Sequence, residues 1–152
     1  KKLKPLVIFY TILLAISSII NIISFFFLTV YVSQVQLKFT DLPQVFTTSL
    51  ASILVALLLS FVWSLLLHSY LRLFKAKGNF LNTYEVFVYS SAPSLLLSWV
   101  SVINALASLY GLYLLYLGTV IEHKLSKRKS LVAYLLLLAV LILYEALRTA
   151  TG

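Results

Sequence analysis

An all-α bundle of five membrane-crossing helices is what this sequence predicts, and three observations carry that expectation. Apolar residues make up 62% of the 152 and charged residues only 11%, whereas a soluble domain needs roughly a quarter of its residues charged. The apolar residues fall into stretches of about the 20 residues that a crossing helix requires. The cations gather in every second break between those stretches.

The first stretch runs from about Pro5 to Val32. It exceeds the roughly 7–15 apolar residues of a signal peptide and lacks an A-x-A-like end, so it reads as a helix and not a leader. The chain opens on Lys1-Lys2-Leu3-Lys4 and has no Met, as expected of one that has lost its initiator or begins inside a longer product. The polar link "SQVQLKFTD" follows, and a second stretch runs from Pro43 to Leu73. Asp41 would cap it, with Pro43 in its first turn. "RLFKAKGN" then breaks the pattern.

The third and fourth stretches form one run from Tyr84 to Ile121. As a single helix it would measure about 57 Å at 1.5 Å per residue, nearly twice the ~30 Å hydrocarbon core. It is therefore expected to fold back as a tight hairpin, with spans 84–100 and 104–121 and the turn at Val100–Asn104. Arms that short are expected to thin or wedge the bilayer. After "EHKLSKRKS" the fifth span covers Leu131–Leu147. All five belong to one membrane domain, 1–152.

Charge orients this bundle. Lys and Arg are enriched in cytoplasmic loops. "KKLK", "RLFKAK" and "KLSKRK" hold three, three and four cations, ten of the twelve in the chain. Five crossings with a cytoplasmic N-terminus and an outside C-terminus put all three segments inside. Lys38 and Arg148 fall outside, near Asp41 and Glu145. The net charge of +8 implies attraction to anionic inner-leaflet lipid. Nucleic acid is not expected, because the cations are short tethers beside spans. The expected location is a prokaryotic cell membrane.

Lipid gives helices no hydrophobic reason to associate, so small and hydroxyl side chains matter at their contacts. The second stretch carries Ser52, Ala56, Ser60, Ser64 and His68 at four-residue intervals. The third carries Ser91, Ser94, Ser98 and Ser101. The fourth has Ala107, Gly111 and Gly118 on one face, and the first has Ser17, Asn21 and Ser24. Close packing is the plainer reading. A polar pathway lined by Asn21, Ser60, Ser64, His68, Ser94 and Ser98 is the alternative, although no acid or base lies at mid-membrane depth, as transporters usually require.

Little here suggests catalysis. The absence of Cys removes disulfides, thiolate metal sites and thiol nucleophiles. There is no H-E-x-x-H, no G-x-S-x-G and no phosphate-cradling glycine loop. No catalytic residue, metal or cofactor is expected. His68 reads as a hydrogen-bonding or snorkelling group, and Glu122 and His123 as a solvated helix end. Asn82 and Glu85 have capping-box spacing, so Glu85 is expected to cap the third helix, to pair with Arg72 or Lys75, or to meet a partner. Pro93 removes one helical hydrogen bond and is expected to bend that helix, with Ser90 and Ser91 bonding the freed carbonyls.

Two stretches, "GNFLNTYEVFVYSSAPSLLL" and "LYGLYLLYLGTVIEHKLSKRKSLVAYLLL", together resemble the Yip1 domain family over residues 66–147. In that family a basic, glycine-containing turn leads through Phe and an aromatic segment to a proline in the third span. A hairpin's second arm then runs to a His, a short basic loop and a last span. The resemblance implies five spans with the N-terminus cytoplasmic. By position it points to Gly78, Phe80, Tyr89, Pro93 and His123. Tyr110 or Tyr113 stands where a Trp is frequent. Eukaryotic members are linked to vesicle traffic, bind Rab-type GTPases and join related membrane proteins. Here spanning sequence begins at Pro5, so their long soluble N-terminal arm is expected to be missing.

The function expected is that of a non-enzymatic membrane scaffold or trafficking-type partner that associates with other membrane proteins or with itself. A small channel or transporter, or an accessory subunit of a larger complex, is the alternative.

Overall fold

The computed structural model describes residues 3–27 and 42–151. Among them are five helices and no strand: α1 Leu3–Phe27, α2 Leu42–Leu73, α3 Phe80–Leu96, α4 Ser101–Glu122 and α5 Lys127–Thr151. Three are long and apolar enough to cross a membrane, over Leu3–Phe25, Pro43–Leu73 and Val102–Glu122. The 17 residues of α3 reach only about 25 Å. α5 opens on Lys127, Arg128 and Lys129. The end of the first apolar stretch, the polar link, Lys38 and the Asp41 cap lie outside the described residues.

α3 is the centre, packed against α1, α2 and α4, while α5 lies on α4. Tyr84 and Val88 of α3 meet Leu6, Tyr10, Leu13 and Leu14 of α1 in the main core. The Tyr84 ring stacks on Phe61 of α2 at 4.7 Å and 5°. Hydroxyls tie α5 in: that of Tyr70 donates to Ala133 O at 2.6 Å, and those of Tyr134 and Thr119 meet at 2.5 Å, with Leu115 O 3.4 Å from Tyr134.

Contacts fix the helix directions. Tyr10 meets Phe87 at 6.3 Å and Asn21 meets Ser98, so α1 and α3 run the same way. Asn82 meets Glu122 and Ser94 meets Ser108, so α3 and α4 run antiparallel. Lys4, the cations after α2 and those after α4 therefore share one end of the bundle.

The outward face is apolar. Leu50, Leu54, Leu58 and Val62 of α2, and Val102, Leu106 and Leu109 of α4, are exposed, whereas Ser60, Ser64, Thr83 and Thr119 are buried. That inversion suits lipid, which solvates leucine but not a hydroxyl.

Several helix boundaries differ from the sequence expectation: α1 starts at Leu3, α4 at Ser101, α5 runs on to Thr151, and three more differ for visible reasons. α3 starts at Phe80 because Asn79, not Asn82, is the N-cap: its Oδ1 accepts from Asn82 N–H at 2.9 Å. α3 also ends sooner, at Leu96. Leu97 N–H closes on Pro93 O at 3.1 Å and Val100 N–H on Leu97 O at 3.3 Å, so the break is Leu97–Val100 and not Val100–Asn104. This break carries no charge and contains no Gly, Pro or Asn to mark it. α5 starts at Lys127 and not Leu131, because Ser126 Oγ accepts from Lys129 N–H at 3.4 Å and a basic first turn stays in the helix. The serines before Pro93 also act one step earlier than expected. Ser90 and Ser91 donate to Phe87 O and Val88 O at 2.9 and 3.0 Å, not to the Tyr89 carbonyl that Pro93 leaves free.

Glycines let α3 and α4 approach closely. A Cβ at Gly111 would sit 2.5 Å from the Ser90 carbonyl oxygen, and one at Gly118 would sit 2.6 Å from Val86 Cγ1. Backbone cannot step aside as a side chain can. Both alanines gain the same helix propensity, so their difference reports packing. Gly111→Ala is expected to destabilise by about 1–3 kcal/mol and to cost more than Gly118→Ala, measured as unfolding midpoints in one detergent. Equal effects would refute this account of the contact.

Candidate functional site

Four chain segments converge at the basic end. α2 ends there, the Phe74–Asn79 link crosses it, α3 begins and α4 finishes. Thr83, fully buried, stands in α3's first turns with its hydroxyl between two imidazoles. Its Oγ1 is 2.8 Å from His68 Nδ1 and 3.0 Å from His123 Nε2. The two rings lie 6.1 Å apart, and Phe80 sets its ring edge-on to His68 at 6.1 Å.

The donor order follows from the outermost member. Arg72 Nε–H donates to His68 Nε2 at 3.4 Å, so that nitrogen holds a lone pair. In a neutral ring Nδ1 then carries the proton and donates to Thr83. The single Thr83 proton is left for His123 Nε2, its nearer acceptor; Asn79 O lies at 3.4 Å. His123 Nδ1 is buried without a hydrogen-bond partner and faces Gly78. A Cβ at residue 78 would lie 2.7 Å from His123 Cε1, so only glycine fits beside this ring.

His123 is therefore fixed by neighbours and not solvated, contrary to the sequence expectation. Burial is the main cause that pushes it below the ordinary imidazole range. His68 adds to the push, Glu122 opposes it, and Arg72 lowers it further. Glu122 is also engaged: Asn82 Nδ2 donates to its Oε2 at 2.8 Å. Asn82 thus joins α3 to α4 instead of capping α3.

The remaining candidates lie elsewhere. Glu85 is half-buried and makes no ion pair among the described residues. It lines a cleft of about 290 Å³ with Val86, Gly118 and Glu122, and another beside Pro5, Leu6, Phe9 and Tyr89. It is no part of a capping box. Tyr89 is exposed and tilts against Phe9 at 5.5 Å. Pro93 sits in α3's last turn.

At the opposite end Asn21 Nδ2 donates to Ser17 O at 2.8 Å and Ser98 Oγ at 3.0 Å. Ser94 and Ser108 hydroxyls meet at 3.2 Å. Ser60 donates to Leu57 O at 2.7 Å and lies 3.4 Å from the Tyr84 hydroxyl, while Ser64 Oγ is buried without a partner. A cleft of about 360 Å³ lies between α1 and α2, lined by Asn21, Thr48, Ser49 and Ser52 among others. Among the described residues no three His, Asp or Glu side chains gather as a metal site would require.

Sequence reasoning missed Thr83 altogether. One threonine among many hydroxyls carries no signal until its helix neighbours are known. The available clue was that His68, the Thr83 turn and His123 each fall at a basic break.

An all-helical chain with three apolar helices of crossing length and an apolar exterior is a multi-pass membrane protein. The Yip1 domain matches residues 2–147, nearly the whole chain, and the chain belongs to that family, which is not known as enzymatic. No curated protein and no solved structure matches.

Thr83→Val keeps the shape and leaves His68 Nδ1 and His123 Nε2 unpaired. It is expected to cost about 1–3 kcal/mol per stranded group, with Thr83→Ser close to wild type, by unfolding midpoint. Acid should weaken the same joint. With its folded-state affinity for protons lowered, His123 favours the fold fully above the ordinary imidazole value of ~6.5. That advantage is lost as pH falls below it, because the unfolded chain takes up the proton first. Stability should thus begin to drop as pH falls through about 6.5, and His123→Gln should flatten this drop. An unchanged slope would sink the assignment.

Proposed function

We propose that this chain is a non-enzymatic membrane organiser. It would cross the bilayer five times, N-terminus cytoplasmic and C-terminus outside, and associate with other membrane proteins through its helices. One observation carries the reading: its polar groups are largely spent on one another. Thr83 with two histidines and Asn82 with Glu122 tie α3 to its neighbours, and Asn21 ties α1 to Ser98 in the turn after α3. What remains for a partner is mainly the apolar exterior, the basic end and the clefts that Glu85 lines.

Clustering of the loop cations at one end supports the orientation. The antiparallel packing of α3 and α4 supports reading them as a short membrane hairpin, and α3's length supports local thinning of the bilayer. The lack of Cys makes topology simple to test. Ser126→Cys should react only with a membrane-permeant thiol reagent, and Trp99→Cys with an impermeant one added outside. The reverse pattern would overturn the orientation. A photo-crosslinking residue at exposed Leu58 should capture membrane proteins while one at buried Leu14 captures none. Solute flux through proteoliposomes that Asn21→Leu abolishes would replace the organiser reading with transport.

A further inference from the structure

Two non-glycine residues among the described ones hold a left-handed backbone, and both are lysines: Lys75 at φ 63° and Lys124 at φ 50°. No described glycine does so. Glycine enters this region without steric cost and is the usual residue where helices end this way. At the end of α2, Lys75 N–H bonds to Arg72 O at 2.9 Å and Ala76 N–H to Leu71 O at 3.3 Å. Lys124 directly follows the cap of α4, His123, whose N–H bonds to Thr119 O at 3.2 Å. The two loops are joined, since Lys77 N–H donates to His123 O at 3.2 Å.

Both lysine side chains are exposed, so packing does not account for them. Charge does. Lys77, Lys127, Arg128 and Lys129 are exposed on the same end, and the nearest carboxylate in sequence, that of Glu122, is held by Asn82. Next to these cations stand bare apolar side chains: Leu73 is 77% exposed, Ile121 67% and Leu131 52%. A free anion has no use for that apolar border. A phospholipid needs both parts, a cation for its phosphate and an apolar edge for its chains.

We propose that the joined α2–α3 and α4–α5 loops form a binding site for an anionic phospholipid headgroup, with Lys75 and Lys124 set in left-handed turns to meet its phosphate. The inference rests on the reading above only in placing this end at a membrane surface. Replacement by glycine separates charge from backbone, because glycine keeps the turn. The test is native mass spectrometry of detergent-solubilised protein given equal phosphatidylglycerol and phosphatidylcholine. Wild type should retain phosphatidylglycerol preferentially. The double variant Lys75→Gly, Lys124→Gly should unfold at the same or a higher temperature. Its preference should fall by about 5-fold per lysine, the equivalent of ~1 kcal/mol per cation at an anionic surface. Lys75→Arg with Lys124→Arg should keep the preference. An undiminished preference in the glycine variant overturns the proposal, as does a lowered unfolding temperature, which would mean the side chains serve the fold. Displacement of the lipid by inorganic phosphate overturns it too, in favour of a free-anion site. Detergent has no sides, so a wrong membrane orientation would show in the cysteine labelling and leave this result standing.

Discussion

The hydroxyl of Thr83 joins three helices, and the geometry of the basic end depends on it. It meets His68 of α2 and the His123 cap of α4 from a position on α3. In water such a bond would be a small addition to a hydrophobic core. In lipid the apolar surfaces of the helices are equally content against acyl chains, so polar bonds and close packing carry the association. Once Thr83 fixes both rings, the rest of the end follows. The α2–α3 link must pass over His123, which requires Gly78. Lys77 then reaches the His123 carbonyl and holds the two basic loops together.

The far end of the bundle is held by different means. There Ser17 and Asn21 of α1 meet Ser98 in the turn just after α3, and Ser94 with Ser108 joins α3 to α4. Between the two polar ends the helices meet through Tyr84, Val88 and the glycines of α4. α3, or the turn that directly follows it, takes part in every one of these contacts although it is the shortest helix. A helix too short to cross comfortably is shielded by three longer ones, and that arrangement explains how Pro93 is tolerated. Pro93 stands in the last turn, so few residues follow the one hydrogen bond it removes, that to Tyr89 O.

The sequence showed the broad plan because hydropathy and charge are properties of stretches. Five helices occupy the five apolar stretches, and the basic breaks come together in space. Boundaries were harder where a break carries no marker. Leu97–Val100 has no Gly, Pro, Asn or charge, and its turn is set by backbone bonds that composition does not record. At α3's start the capping-box spacing pointed to Asn82, but the cap is Asn79. Only geometry separates Asn79, whose side chain turns back to the helix, from Asn82, whose side chain crosses to Glu122. His123 was singled out by resemblance and Gly78 by the same route. What joins them is a ring packed on a missing Cβ, a relation between distant positions that neither residue shows alone.

Burying its polar groups in pairs leaves this chain with two surfaces of different character. The apolar flank offers area without direction, so any partner recognised there must be selected by shape and by small residues. The basic end offers charge held in a fixed frame. Its loops are bonded to each other and anchored from below by His123, so the backbone that carries the lysines is held in place. That rigidity is what distinguishes it from a flexible basic tail, since preorganised charge gives up less conformational freedom on binding. The same buried joint that holds the helices therefore sets how firmly the lysines are presented. Weakening it should loosen the charged surface before it separates the helices, because the far end keeps its own polar bonds.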